Sequence, residues 1–408
     1  MEARIEAAAL TGGRGAARGR SPGVRPVPAV LGILLLGTGA WLLRTVGWRQ
    51  AALFGVGGLL GLVLYGTSFG FTSGYRRAVV ARDGSSVYAQ LLMLGAATLL
   101  FAPILASGSV LGRGVTGAYA PAAAQVLVGA FLFGIGMQLG GGCGSGTLYG
   151  VGGGSLRTLV TLLGFIAGAF RGSLDMGFWR RLPSAGTVTL GSVLGWPLAV
   201  ALQLVALALV ALWIARRERA GAGRDGGSRP VWRRMWRENR LLVVGGLALA
   251  LLNFATLLLA GHPWTITWAF TLWGAKSATL LGWDPGASAY WTSGFARAAL
   301  AAPVARDVTS VMDIGIILGA AGTAAWLGRL SPLRRIPVRS LLAAALGGLL
   351  LGYGARIAFG CNIGAFFSGV ASTSLHGWMW IAAAIPGTWV GVRLRPWFGL
   401  ANEAPACA

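Results

Sequence analysis

The chain has 408 residues, of which 55% are hydrophobic and only 11% charged, with a formal net charge of +23 and a mean hydropathy of +0.69. A soluble globular domain carries about 25% charged residues, so the balance excludes an ordinary water-soluble fold. The basic excess is no nucleic-acid footprint either, because the arginines lie mainly between apolar runs, where the positive-inside rule places them.

In chain order, residues 1–27 are rich in Arg, Gly and Pro and read as a disordered basic arm, without the apolar core and cleavage site of a signal peptide. A first transmembrane half follows over 28–214. Its apolar runs cover 28–43, 51–66, 87–106, 121–139, 156–170 and 189–214. They approach the roughly 20 residues needed to cross a bilayer as helix, and they do not alternate as barrel strands would. Two breaks interrupt this half. The first, residues 67–74, carries small hydroxyl residues and glycines ahead of Arg76 and Arg77; the second is the glycine-rich stretch 140–147 around Cys143. Residues 215–240 hold nine arginines and read as a basic cytoplasmic linker.

A second half occupies 241–395, with apolar runs over 241–260, 265–283, 291–303, 311–327, 341–357 and 376–394, a turn at His262-Pro263-Trp264, and a basic loop over 329–339. Residues 396–408 form a tail ending near Cys407. The expected fold is an all-α integral membrane protein in the lipid bilayer. About nine transmembrane helices and several short re-entrant half-helices form two pseudo-symmetric halves.

The halves are related by an internal repeat. A shift of 218 residues places Cys143 on Cys361 and aligns Gly129, Gly134, Gly136, Gly142 and Gly146 with Gly347, Gly352, Gly354, Gly360 and Gly364; one further residue of shift aligns Ser155-Leu156 with Ser374-Leu375. Glycine alone would align by chance in so glycine-rich a chain, but a rare cysteine in the same frame points to duplication, a common transporter plan. Each break exposes backbone groups that lipid cannot satisfy. Half-helix N-termini turned toward one point would favour an anion there. Gly142, Cys143, Gly144, Gly360, Cys361 and Asn362 are the candidate pathway residues. A thiol is a polarisable weak donor suited to a sulfur-bearing anion. The competing reading makes both cysteines small core residues.

Lys276, the only lysine, lies in an apolar run and is either a pathway charge or a snorkelling side chain. Arg157, Arg297 and Arg356 read as an anion funnel or as interface anchors. Asp307 and Asp313 read as proton couplers or as arginine partners, and His376 as structural. Cysteine and histidine spacing excludes a structural zinc site, and no cofactor motif occurs.

The stretches Gly134–Thr147 (GIGMQLGGGCGSGT) and Gly354–Gly369 (GARIAFGCNIGAFFSG), followed by Ser372–Trp378, resemble the two signatures of the YeeE/YedE family, and the similarity runs from about 51 to 395. The resemblance implies a bacterial inner-membrane importer of thiosulfate, hourglass-shaped, with thiols passing the anion along. It also implies a small soluble sulfurtransferase of the TusA/SirA type as partner. A third family cysteine belongs in an early Phe-Cys-Phe stretch, where Phe69-Gly70-Phe71 stands here; either Ser68, Thr72 or Ser73 substitutes as a hydroxyl donor or the entry contact differs, and the entry step is left unassigned. The expected function is therefore import of thiosulfate or a similar anion past a two-thiol constriction. The alternatives are transport of a selenium species, a membrane sulfurtransferase forming a cysteine persulfide, and a structural or assembly protein.

Overall fold

A computed structural model describes residues 26–110, 112–221, 239–332 and 335–402. The basic arm up to residue 25, the linker over 222–238 and Cys407 lie outside the described residues. The chain is helical almost throughout. Helix α1 spans Pro26–Thr45, α2 Trp48–Thr67, α3 Phe71–Val80, α4 Ser85–Ser107, α5 Ala124–Gly140, α6 Gly144–Gly152 and α7 Leu156–Leu174. After two short helices, Met176–Trp179 and Leu190–Leu194, come α8 Trp196–Gly221, α9 Arg240–Ala260, α10 Thr267–Leu280, α11 Gly294–Ala301, α12 Val308–Trp326 and α13 Val338–Ile357. A π-helical turn, Asn362–Phe367, leads into Ser368–Ala371, and α14 closes the bundle over Leu375–Leu394. A two-stranded hairpin pairs Ser109–Val110 with Arg113–Gly114.

Among the described residues, eight helical stretches are long and apolar enough to cross a membrane, against the expected nine or so. Three of the eight (48–80, 124–152 and 338–371) run straight through a break. Helix α8 continues to Gly221, into the stretch read as linker.

The packing is reciprocal. Helix α2 lies along α12, as α9 lies along α4; α7 lies along α13, as α14 lies along α5. Helices α5 and α13 also pack on each other, as do α2 and α9. Exchanging α2, α4, α5 and α7 for α9, α12, α13 and α14 therefore returns the same set of contacts.

The repeat is inverted. Gly153, just after α6, accepts from Ser331 N (2.8 Å), and Tyr65 Oη donates to Arg329 O (2.9 Å). Gly84 N donates to Glu218 Oε1 (2.7 Å). These contacts gather the basic loops at one end. At the opposite end Leu190 N donates to Thr373 O (2.8 Å), Ala118 N to Ser372 Oγ (3.0 Å) and Thr116 N to Gly261 O (2.9 Å). So α6 finishes at the arginine-rich end, and its counterpart 362–371 finishes at the other.

Glycine sets the spacing of the bundle. Gly57 and Gly61 of α2 press on the carbonyls of Met312 and Ile316, and Gly348 and Gly352 of α13 press on those of Thr161 and Phe165. A Cβ at these positions would overlap backbone. Small residues at such crossings let van der Waals contact replace the hydrophobic drive that lipid removes. Gly352→Ala is expected to destabilise the folded protein by about 1–3 kcal/mol through overpacking, visible as a lower melting temperature in detergent. Gly32→Ala, with nothing within 4 Å of the new Cβ, should leave that temperature unchanged.

Candidate functional site

Each break ends one helix and restarts another within a few residues. Helix α5 stops at Gly141 in the left-handed region (φ 85°), where its N–H returns to Met137 O (3.1 Å). Cys143 then caps α6 in an extended conformation (ψ −164°). Thr147 pins the new helix, donating from both N (2.9 Å) and Oγ1 (2.8 Å) to Cys143 O. In the second copy α13 ends at Ile357, and the chain turns through Phe359 (φ 61°) and Gly360 (φ 151°). Cys361 caps the next turn with the same ψ of −164°. A side chain at 360 would be strained and would meet Ala365 N at 2.7 Å, so glycine is required there. Cys361 O accepts from both Ala365 N (3.0 Å) and Phe366 N (3.2 Å); the second bond makes the turn π-helical.

Two further breaks do the same. Ser68 takes a left-handed conformation (φ 52°) and Gly70 caps α3; His262–Thr265 separates α9 from α10, whose cap is Ile266. The four caps lie together. A Cβ built on Gly144 would stand 3.1 Å from Cys361 Sγ and 3.3 Å from Ile266 Cγ2. One built on Gly70 would stand 3.6 Å from Tyr149 Oη of α6, and one on Gly364 would stand 3.6 Å from Thr265 Cγ2. Asn362 Nδ2 donates to Tyr75 Oη of α3 at 3.4 Å. Cys143 and Cys361 are 1% and 0% exposed. Cys143 Sγ lies 3.3 Å from Ser145 Oγ, and Cys361 Sγ accepts from Ile363 N at 3.4 Å. Asn362 Oδ1 and Thr72 Oγ1 are buried without a hydrogen-bond partner.

Of the residues singled out in the sequence, Gly142, Cys143, Gly144, Gly360, Cys361 and Asn362 fall in this cluster. Lys276 does not: its Nζ donates to Leu300 O (2.7 Å) and Ala302 O (2.8 Å) at the C-terminus of α11. Arg356 is half-buried, with its guanidinium over the Tyr290 ring at 5.0 Å. Arg157 satisfies the C-terminal carbonyls of α5, donating to Gly140 O (3.0 Å) and Leu139 O. Arg297 is exposed. Asp307 caps α12, accepting from Ser310 N (2.8 Å) and from Trp268 Nε1 (2.9 Å). His376 Nδ1 pairs with Ser374 Oγ at 2.8 Å.

Sequence reading missed Ile266, Tyr75 and Tyr149. The signal for the third break was Asn253, an amide in the middle of an apolar span. It accepts from Trp264 N (2.8 Å) and donates to Ser368 Oγ (3.1 Å), and Ser368 donates back to Trp264 O (2.9 Å). Asn253 thus fixes the third break to the fourth. A cavity of about 530 Å³ at the end opposite the basic loops reaches down to Thr265, Phe359 and Gly364, with His262, Arg306 and His376 on its walls.

Broken helices meeting inside an inverted, multi-pass membrane bundle are the arrangement seen in transporter folds. The model of the family described as "Sulphur transport" matches residues 66–390. The chain belongs to that family. It is 25% identical over 359 residues to the thiosulfate transporter TsuA of Escherichia coli (strain K12), covering 83% of this chain and 94% of that protein. With TsuA of Spirochaeta thermophila it shares 28% over 370 residues, 82% of this chain and 95% of that one. The probable transporter YedE of Escherichia coli is 32% identical over 138 residues, so the match spans 33% of that protein's length.

Convergence of the breaks has a direct chemical test. The built Cβ of Gly144 lies 3.7 Å from Cys361 Cβ, inside the roughly 3.5–4.5 Å of a disulfide. Gly144→Cys is expected to form a disulfide with Cys361 under a membrane-permeant oxidant, seen as a linked peptide pair by non-reducing mass spectrometry. Folded protein that yields no such pair would contradict the geometry.

Proposed function

We propose that this protein imports thiosulfate, or a sulfur anion of similar shape and charge, across the bacterial inner membrane. The anion passes between Gly144 and Cys361. The observation that supports this reading is the meeting of both thiols with the first turns of four broken helices. The relatives named as thiosulfate transporters align over more than four-fifths of the chain.

A dianion entering a buried site loses its hydration, at a cost that must be offset by donors already in place. The first N–H groups of a helix have no intrahelical partner, and each N-terminus carries about half a positive charge. Four such turns offer many donors without a fixed cation, which suits an anion that must also leave. The Cys143 and Cys361 thiols add weak donors to a terminal sulfur. Asn362 can turn its amide toward the anion, because the Tyr75 hydroxyl can donate as well as accept. At position 70 no thiol is available. Ser73 Oγ stands 2.8 Å from where a Cβ on Gly70 would be, so a hydroxyl fills that space and takes the donor role there. Arg306 and His262 on the cavity walls draw the anion to the entrance. On this reading the arginine-rich end is cytoplasmic, where a small sulfurtransferase of the TusA/SirA type receives the anion.

Proteoliposomes supplied with labelled thiosulfate on the outside test the proposal. The native chain should accumulate label, and Cys143→Ala and Cys361→Ala should each lower the initial rate about tenfold or more, the loss of about 1.4 kcal/mol of stabilisation. Equal uptake by all three would remove the thiols from the path. Excess sulfite or selenite in the same assay ranks the substrates. A persulfide on either cysteine during turnover would point instead to sulfur transfer by the protein itself.

A further inference from the structure

We propose that Asp313 is a proton site beside the anion path, so that passage of the anion is coupled to proton movement; this rests on the transport reading above. Asp313 belongs to α12, on the face that lines the third break. Thr309 Oγ1 on that face lies 3.1 Å from Thr265 Oγ1, and Ser310 Oγ accepts from Trp273 Nε1 at 2.9 Å. Asp313 follows three and four residues later, one turn further from the cavity that Thr309 lines. It is 0% exposed, and neither carboxylate oxygen has a hydrogen-bond partner. It is close enough to Cys361 to act on it electrostatically.

The surrounding titratable and charged groups are occupied elsewhere or share its sign. On its own helix Asp307 caps α12 and takes the Trp268 indole, and it also acts electrostatically on Asp313. From α10, Lys276 is spent on the Leu300 and Ala302 carbonyls. From α2, Tyr65 donates to Arg329 O. From α6 come Tyr149 and Cys143, from the turn before α12 Arg306, and from α1 Arg44. None of these cations lies within salt-bridge distance of Asp313 among the described residues.

An ionised carboxylate buried without a partner is costly in a membrane interior, and protonation removes that cost. A dianion at the thiols adds repulsion and makes the proton still more favourable. By linkage the effect is reciprocal: the proton strengthens anion binding by the factor through which the anion strengthens proton binding. A thiosulfate dianion accompanied by one proton moves one net negative charge rather than two. A lone carboxylate suffices for a proton, whereas a metal cation would need several oxygen ligands.

The test uses proteoliposomes with clamped membrane potential, labelled thiosulfate and an internal pH dye. The expected result is native uptake that rises about tenfold per unit of external acidification until Asp313 is saturated with protons. The interior should acidify in step with the label. Asp313→Asn should carry thiosulfate at a rate independent of pH. Native uptake indifferent to the pH gradient, uptake driven by a sodium gradient instead, or an Asp313→Asn protein with the native pH response would each overturn the proposal. If the variant does not fold, the dye signal of the native protein decides. Failure of native protein to take up thiosulfate under any gradient would remove the transport reading itself, and is distinguishable because no label enters at all.

Discussion

A break in a membrane helix strands peptide groups where water is not available to receive them, and each buried orphan costs about 1–3 kcal/mol. The described residues contain four such breaks, and three of them are resolved asymmetrically. The carbonyl sides are closed by side chains: Arg157 takes Gly140 and Leu139, Arg395 takes Gln138 (2.8 Å), Trp380 Nε1 takes Gly360 (3.2 Å), and Ser368 takes Trp264. The amide sides are the ones brought face to face. Sealing acceptors with fixed donors while turning helix N-termini inward is an arrangement that favours negative charge at the meeting point.

That arrangement needs helices close enough to exclude lipid from the breaks. The glycines of α2, α12 and α13 supply the close approach, and the reciprocal pairing of the halves supplies it twice. Inversion then places two broken helices with their far ends at each face, so their central meeting point is approached alike from both sides. The cavity at the end opposite the basic loops shows where the symmetry is incomplete.

Hydropathy and arginine placement made the membrane fold legible, and the duplicated cysteine frame revealed two of the four caps. A third, Gly70, lay in the break read over 67–74; the fourth was hidden for a physical reason. Ile266 carries no chemical signal, since its contribution is a backbone N-terminus and not a side chain. Tyr75 and Tyr149 look like ordinary aromatic packing until α3 and α6 are brought to the same point. Lys276, which the sequence left open between a pathway charge and a snorkelling side chain, lies outside the cluster and bonds two carbonyls at the end of α11. Arg157 caps the end of α5 from α7, a contact across the fold that leaves no pattern at short range in sequence.

The π-helical turn after Cys361 carries one residue more than the α-helical turn after Cys143. The sequence repeat loses register by one residue between these positions and Ser374. The copies therefore differ by a single residue here, beside the tertiary clamp around Asn253, Ser368 and Trp264. The extra residue is absorbed as a local overturn. Each residue of a helix advances by about 100°, at 3.6 residues per turn, so the side chains beyond Cys361 present a different chemical surface from those beyond Cys143. The two copies of the site are thereby made unlike, so whatever rests between Cys143 and Cys361 would meet different neighbours on its two sides.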